Sequence, residues 1–322
     1  MNHNIEDLRF IVGQSHPELG RKICDHLGIK PVEVDFGVYP EGNQWVQIKK
    51  NVRERRVIIL QTSCPPVDFH VIQGALLIDA ARSASADKIT YLAPYFAYVR
   101  QDKKDRGRIP IGAKLMCDIF TKAAGAYRLG AVTLHSDTIQ GFANVFDNLK
   151  PNRYICSALQ EQSDLGINRD GWIVLAPDNG SSKMNSRMAQ RLGLSYVGLI
   201  DKQRTGDEEV EIINLIADPE KIRGKKVLMF DDEIQSGGTA ETVADYLVKE
   251  IGVQEVHFCA VHGVFTKGSL ERINASSLTK VIVTNTIPQK HNGGKIIVID
   301  ISKYLANCIK NIYLGESVSA LF

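Results

Sequence analysis

Two adjacent carboxylates, Asp231 and Asp232, end the apolar run KVLMF (226–230) and are followed by Ser236-Gly237-Gly238-Thr239 at the opening of a helical stretch. Glycines let the backbone turn tightly, so that amide N–H groups and a helix N-terminus face one anion. The Ser236 and Thr239 hydroxyls add donors, and the two acids suit either a sugar cis-diol or a magnesium ion. No Gly-Lys-Ser/Thr follows, so this is not a Walker loop. A capped turn with solvated acids is the plainer reading. A double acid and paired glycines at the end of a buried strand favour the functional one.

Other segments carry weaker signals of the same kind. The run WIVLAP (172–177) ends in Asp178, followed by Gly180, two serines and Lys183. A carboxylate at a strand end suits a metal or a hydroxyl, although Pro-Asp-Asn-Gly is also ordinary turn chemistry. Seven of the nine residues from Arg100 to Arg108 are charged, five of them basic. Such a run is usually a solvated loop, yet a polyphosphate needs cations of this kind. Lys202 and Arg204 lie in DKQRTGDEE (201–209), a charged surface turn or a mobile flap. His135, ending AVTLH (131–135), is a structural imidazole or a metal ligand.

The elements that must position these residues form a repeating pattern. Apolar runs lie at 9–13, 57–60, 89–95, 131–135, 172–177, 196–200, 226–230, 256–263, 281–285 and 296–300. Most are continuous rather than alternating, as strands covered on both faces require. Helices are predicted at Pro17–Leu27, Ile72–Arg82, Gly112–Ala124, Ala240–Ile251 and Ser302–Ile312. The alternation predicts an α/β protein with mostly parallel sheets. A polar stretch at 147–171 separates two blocks of similar texture, predicting domains at 1–150 and 151–322.

A formal net charge of +2 over 322 residues supplies no bulk attraction to nucleic acid or membrane. No apolar run approaches the roughly 20 residues of a membrane span, and the first residues lack the basic and apolar regions of a signal peptide. The six cysteines are scattered without CxxC or zinc spacing, which predicts reduced buried thiols and a cytoplasmic protein.

Taken together, the segments resemble the ribose-phosphate pyrophosphokinase (phosphoribosyl pyrophosphate synthetase) family nearly end to end. The matching stretches include GQSHPELG (13–20), YVRQDKKDRGRIPIGAKL (98–115), LHSDTIQGF (134–142), APDNG (176–180), DKQR (201–204), FDDEIQSGGT (230–239), HGVF (262–265), TNTIPQ (284–289) and GESVSALF (315–322). The resemblance implies two tandem phosphoribosyltransferase-like domains. It also implies transfer of a diphosphoryl group from Mg-ATP to the C1 hydroxyl of ribose 5-phosphate, giving phosphoribosyl pyrophosphate and AMP. By the same resemblance Asp231 and Asp232 hold the ribose hydroxyls, while Gln235, Ser236, Gly237, Gly238 and Thr239 form the 5-phosphate loop. His135 and Asp178 sit at the Mg2+; Arg100, Gln101 and His135, with the Tyr39–Asn43 loop (Tyr39, Glu41, Asn43), bind ATP; Lys202 and Arg204 lie on the catalytic flap. Family members form homodimers and homohexamers, with phosphate and ADP acting at a regulatory site whose positions match Arg53, Arg106, Gln140, Ser317 and Ser319.

The departures from the family face substrate. Its Phe-Ser-Asn/Asp-x-Glu adenine loop reads Tyr39-Pro40-Glu41-Gly42-Asn43, its Asp-Leu-His reads Thr133-Leu134-His135, and its Pro-Asp-Ala-Gly-Gly reads Pro177-Asp178-Asn179-Gly180-Ser181. The carboxylate preceding the phosphate loop is Gln235. Losing that negative charge favours a more anionic acceptor. Three activities therefore follow: synthesis on ribose 5-phosphate; the same chemistry on a larger 5-phosphate ester such as ADP-ribose, as in a phage-type NAD-restoring enzyme; or an inactive regulatory subunit.

Overall fold

Buried β-branched runs, many of them followed by a helix, build two separate and mostly parallel sheets. The computed structural model describes residues 4–167, 171–204 and 210–322, with the side chains at 164, 202–204 and 210–213 outside the description. In chain order the elements begin with β1 (Arg9–Val12), α1 (Pro17–Leu27), the hairpin β2 (Val34–Val38) and β3 (Gln44–Ile48), β4 (Arg56–Leu60) and α2 (Val67–Ser83). Next come β5 (Lys88–Ala93), α3 (Gly112–Asp118, extended by a π turn to Ala123), β6 (Arg128–Val132) and β7 (Phe146–Leu149). Then follow α4 (Asn152–Glu161), β8 (Trp172–Ala176), α5 (Ser182–Leu192), the hairpin β9 (Ser195–Arg204) and β10 (Val210–Ile216), and α6 (Pro219–Ile222). The chain closes with β11 (Lys226–Ile234), α7 (Gly238–Tyr246, extended by a π turn to Ile251), β12 (Glu255–Gly263), α8 (Ser269–Ala275), β13 (Lys280–Thr284), β14 (Ile296–Ile299) and α9 (Ser302–Leu314).

These elements divide into two compact units. One comprises Met1–Pro151, Thr286–Pro288 and Ile301–Phe322; the other comprises Asn152–Asn285 and Gln289–Asp300. The first holds a five-stranded sheet in the order β1-β4-β5-β6-β7, parallel throughout. On one face Val57, Ile59, Ile89, Tyr91, Leu129 and Ala131 pack with residues of α2 and α3. Side chains alternate across a strand, so Phe10 and Val12 take the other face, where α1 lies. The helix α9 packs on α1 and belongs to this first unit. The second holds seven strands in the order β10-β9-β8-β11-β12-β13-β14, parallel except for the β9–β10 hairpin.

The structure differs from the sequence reading at several places that bear on the site. β6 stops at Val132, so His135 lies beyond the strand rather than closing it. β11 runs on through Asp231 and Asp232 to Ile234, pairing with β12 as far as Gly263, so the acids are held inside the ladder. The polar stretch at 147–171 contains β7's end and the helix α4, whose Ile155, Cys156 and Leu159 are buried. All six cysteines are free and buried, and among the described residues no helix is long and apolar enough to cross a membrane.

Close approach of α1 to β1 rests on one glycine. A Cβ at Gly20 would lie 2.3 Å from Cγ1 of Val12, a stiff β-branched neighbour. Helix propensity alone makes Gly→Ala favourable by about 1 kcal/mol in a helix interior. Here overpacking outweighs it, so Gly20→Ala is expected to destabilise by about 1–3 kcal/mol. Urea unfolding checks the sign.

Candidate active site

The second unit gathers its candidate residues on the carboxyl ends of the neighbouring strands β8 and β11. After β8, Asp178 folds back on its own loop: its Oδ1 accepts from the Ser181 N–H at 2.8 Å, and the Ser181 hydroxyl donates to the Asp178 carbonyl at 3.2 Å. After Phe230, Asp231 accepts from the Asp232 N–H at 2.9 Å, and Asp232 from the Glu233 N–H at 3.0 Å. Desolvation, followed by the charges of Asp232 and Asp178, pushes the Asp231 carboxyl well above the usual carboxylate range. Three acids therefore share one electrostatic environment. That environment is discharged by a hydroxyl donor, a cation or a bound proton.

The phosphate-loop candidates continue directly from these acids. Gly237, at φ 78°, takes the left-handed region and caps the nine-residue α7, which opens at Gly238. The first amides of a helix have no intrahelical acceptor and aim outward, so the turn presents donors to an anion. The Ser236 hydroxyl accepts from the Gly238 N–H at 3.4 Å. The loop is bracketed by the segment after β12: Val264 and Thr266 N–H groups donate to the carbonyls of Ile234 and Gln235, at 2.9 and 3.2 Å. Gln289 in turn donates to the Gly263 carbonyl at 2.8 Å. HGVF and TNTIPQ thus act here as scaffolding. Gln235, the residue that replaces an acid, donates its Nε2 to Glu233 Oε1 at 3.1 Å. The carboxylate lost at 235 is returned from two residues upstream.

A buried amide that the sequence reading passed over holds this arrangement. Asn185 on α5 is fully buried; its Nδ2 donates to the carbonyls of Phe230 (2.7 Å) and Ser181 (2.9 Å), and its Oδ1 accepts from the Phe230 N–H (2.8 Å). It ties the strand just before Asp231 to the turn that carries Asp178. The available signal was a polar residue in step with the buried Met188, Ala189 and Leu192 of one helix face.

In the first unit, Arg100 and Gln101 stand exposed in the loop after β5, and the Gln101 carbonyl accepts from the Ala113 N–H at 3.2 Å. Exposed His135 follows Leu134, whose N–H donates to Asn148 Oδ1 at 3.0 Å. Tyr39, Glu41 and Asn43 form the exposed tip of the β2–β3 hairpin, closed by the Tyr39 N–H on the Asn43 carbonyl at 2.8 Å. A network of amides braces that hairpin. Gln61 donates to Gln73 (3.0 Å), and Gln73 donates to Gln14 (2.7 Å) and to Gln44 (3.3 Å), the residue after Asn43. Lys202 and Arg204 fall opposite Ile212 and Val210 in the β9–β10 ladder. The DKQR segment is thus strand backbone rather than a turn, and its Lys202 and Arg204 side chains lie outside the described residues.

Among the described residues no group of three His, Cys, Asp or Glu side chains forms a protein-only metal cage. Magnesium does not need one, since it keeps waters and takes one or two carboxylates beside substrate phosphates. The clustered charge of Asp178, Asp231 and Asp232 fits such a hard cation.

Comparison with known proteins agrees on a single family. Residues 8–125 match the family model for the N-terminal domain of ribose phosphate pyrophosphokinase, and residues 211–322 that for the phosphoribosyl synthetase-associated domain. The chain is 36% identical to the ribose-phosphate pyrophosphokinase of Rhodopirellula baltica, covering 99% of each. It is 38% identical to ribose-phosphate pyrophosphokinase 2 of Schizosaccharomyces pombe, covering 98% of this chain and 97% of that one. The phosphoribosylpyrophosphate synthetase structure from Mycobacterium smegmatis superposes with a TM-score of 0.84 at 29% identity, covering 96% of this chain and 99% of that one.

Removing the Asn185 amide strands a buried carbonyl and N–H at Phe230. Asn185→Leu is expected to destabilise by about 3 kcal/mol, since buried groups left without partners cost about 1–3 kcal/mol each. Denaturant unfolding reads the loss directly.

Proposed function

Because the chain belongs to the ribose-phosphate pyrophosphokinase family and is an ATP-dependent diphosphotransferase, we propose that it acts on Mg-ATP and ribose 5-phosphate to give phosphoribosyl pyrophosphate and AMP. The observation that carries this reading is the continuity of β11 and α7. One backbone segment holds the acids Asp231 and Asp232, then the left-handed Gly237, then the opening amides of α7. Acids and amides at fixed spacing suit a sugar that carries hydroxyls at one end and a phosphate at the other.

In this reading Asp231 and Asp232 accept from the ribose hydroxyls, and Ser236 to Thr239 hold the 5-phosphate. The C1 hydroxyl oxygen attacks the β-phosphorus, the bond from that phosphorus to the α-phosphate oxygen breaks, AMP leaves, and the C1-hydroxyl proton is released. Charge spreads over the equatorial oxygens, so cations and positioning supply most of the rate. Lys202 and Arg204 supply the cations. Asp178 and His135 are the residues that would each offer a ligand to Mg2+, which would supply charge neutralisation at the polyphosphate. Arg100 and Gln101, with Tyr39, Glu41 and Asn43, take the nucleotide. A neutral amide chain behind the hairpin suits that role, because it positions the tip without placing carboxylates behind a polyanion. The Gln235–Glu233 bond supports ribose 5-phosphate over a more anionic ester, since the loop keeps a nearby carboxylate.

AMP release from Mg-ATP, measured with ribose 5-phosphate and with ADP-ribose as separate acceptors, tests the reading. Release with ribose 5-phosphate is expected. Release with ADP-ribose alone assigns the larger acceptor, and none with either assigns a regulatory subunit. Lys202→Ala is expected to lower kcat about 100- to 1000-fold, the usual loss on removing a group aimed at transition-state charge, while leaving the Kd for ATP within a few-fold. Near-normal turnover would remove Lys202 from the chemistry.

A further inference from the structure

At the amino end of the first sheet, opposite the end that carries Arg100 and His135, three neighbouring strands begin with basic residues. Arg56 opens β4, Lys88 opens β5 and Arg128 opens β6. In the parallel register Arg56 pairs with Lys88, and Thr90 pairs with Arg128. Register partners and residues two apart share a face. Arg56, Lys88, Thr90 and Arg128 therefore project to one side, away from the face of Val57, Ile89 and Tyr91. With Tyr127 and Tyr313 they line a recess of about 190 Å³ under the last turn of α9.

The cations there are held in place. Arg56 donates one Nη to the Tyr313 carbonyl at 2.9 Å, which orients the guanidinium, while its Nε is buried without a partner. The Lys88 ammonium lies 4.8 Å from the centroid of the Tyr127 ring. Arg128 pairs with Asp147. Arg9 and Arg55 lie near Tyr313 as well, and Arg55 pairs with Asp7 at 3.7 Å. The strand starts that line the recess thus carry three cations, one of them paired with Asp147.

We propose that this recess binds a small tetrahedral oxyanion, either inorganic phosphate or the phosphate of a small phosphomonoester. A guanidinium oriented by the Tyr313 carbonyl, beside an ammonium and the Thr90 side chain, matches a phosphate better than a carboxylate-bearing ligand of mixed charge. Pockets for drug-sized ligands run to about 300–1000 Å³. A recess of about 190 Å³ is of a size to take a phosphate or a pentose phosphate. The site shares no residue with the acid cluster and phosphate loop of the second unit. It also shares none with Arg53, Arg106, Gln140, Ser317 and Ser319.

Equilibrium dialysis of the full chain against radiolabelled inorganic phosphate tests the proposal. Arg56→Gln/Lys88→Gln is expected to bind about one equivalent less per chain than the wild type. Lys30→Gln/Lys122→Gln, which removes the same charge elsewhere on the surface, is expected to retain that equivalent. Arg56→Lys should restore part of the binding lost in Arg56→Gln, which separates a ligand contact from a folding defect; circular dichroism confirms the fold of each variant. Methyl phosphate added as competitor separates the sources: displacement shows that esters enter, and no displacement restricts the site to the free ion. Equal binding by wild type and Arg56→Gln/Lys88→Gln, or equal loss in the Lys30→Gln/Lys122→Gln control, would overturn the site.

Discussion

Crowding Asp178, Asp231 and Asp232 onto the carboxyl ends of adjoining strands costs free energy in the unliganded protein, because like charges must be held together. Near a protein surface two unit charges about 4 Å apart interact by about 4 kcal/mol. The raised affinity of Asp231 for a proton is one symptom of that cost. The compensation comes from neutral groups nearby. Asn185 spends its amide on Phe230 and Ser181, so the backbone on either side of the acids cannot spread to relieve them. A site built this way waits for hydroxyl donors or a cation. Binding then recovers interaction energy that folding withheld.

The candidate phosphate loop is held by the same logic with a different tool. Its glycines permit the left-handed turn at Gly237 but supply no side chains to lock it. Rigidity comes instead from outside, through backbone bonds of Val264 and Thr266 to Ile234 and Gln235, themselves tied by Gln289 to Gly263. Gly263 is constrained in turn: a Cβ there would stand 2.8 Å from the Phe265 ring. Motifs far apart in the chain thus meet at one turn. Their shared task is to keep the amides of a flexible loop pointing at one place.

How much of this was legible in the sequence depends on whether a signal is local. The helix α1 was read to the residue, because Pro17 opens it, His16 accepts from the Leu19 N–H, and Gly28 caps it in the left-handed region. The acids and the glycine loop were legible because their chemistry is written in one short run. Helix α4 was not, since its three buried apolar residues sit among polar ones in a stretch that resembles a linker. The β9–β10 hairpin was missed for a related reason. At a sheet edge the DKQR backbone is paired on one side by β10, which no local hydrophobic pattern announces. The clamp at Asn185 and the bond from Gln235 to Glu233 were invisible, because each is defined by its partner.

The two units solve the problem of a polar strand end differently. Behind the first unit's hairpin the chain Gln61, Gln73, Gln14 and Gln44 is wholly neutral, and Gln61 is fully buried. An amide carries both donors and an acceptor, so such a network can be built without a net charge. The second unit instead concentrates negative charge at its strand ends. A nucleotide polyphosphate beside a carboxylate cluster is repelled unless a cation intervenes, whereas beside neutral amides it meets no such barrier. A sugar that offers hydroxyl donors meets the opposite preference. Under the proposed reading, the amide-braced hairpin suits the nucleotide and the acidic strand ends suit the pentose, before any shape complementarity is considered.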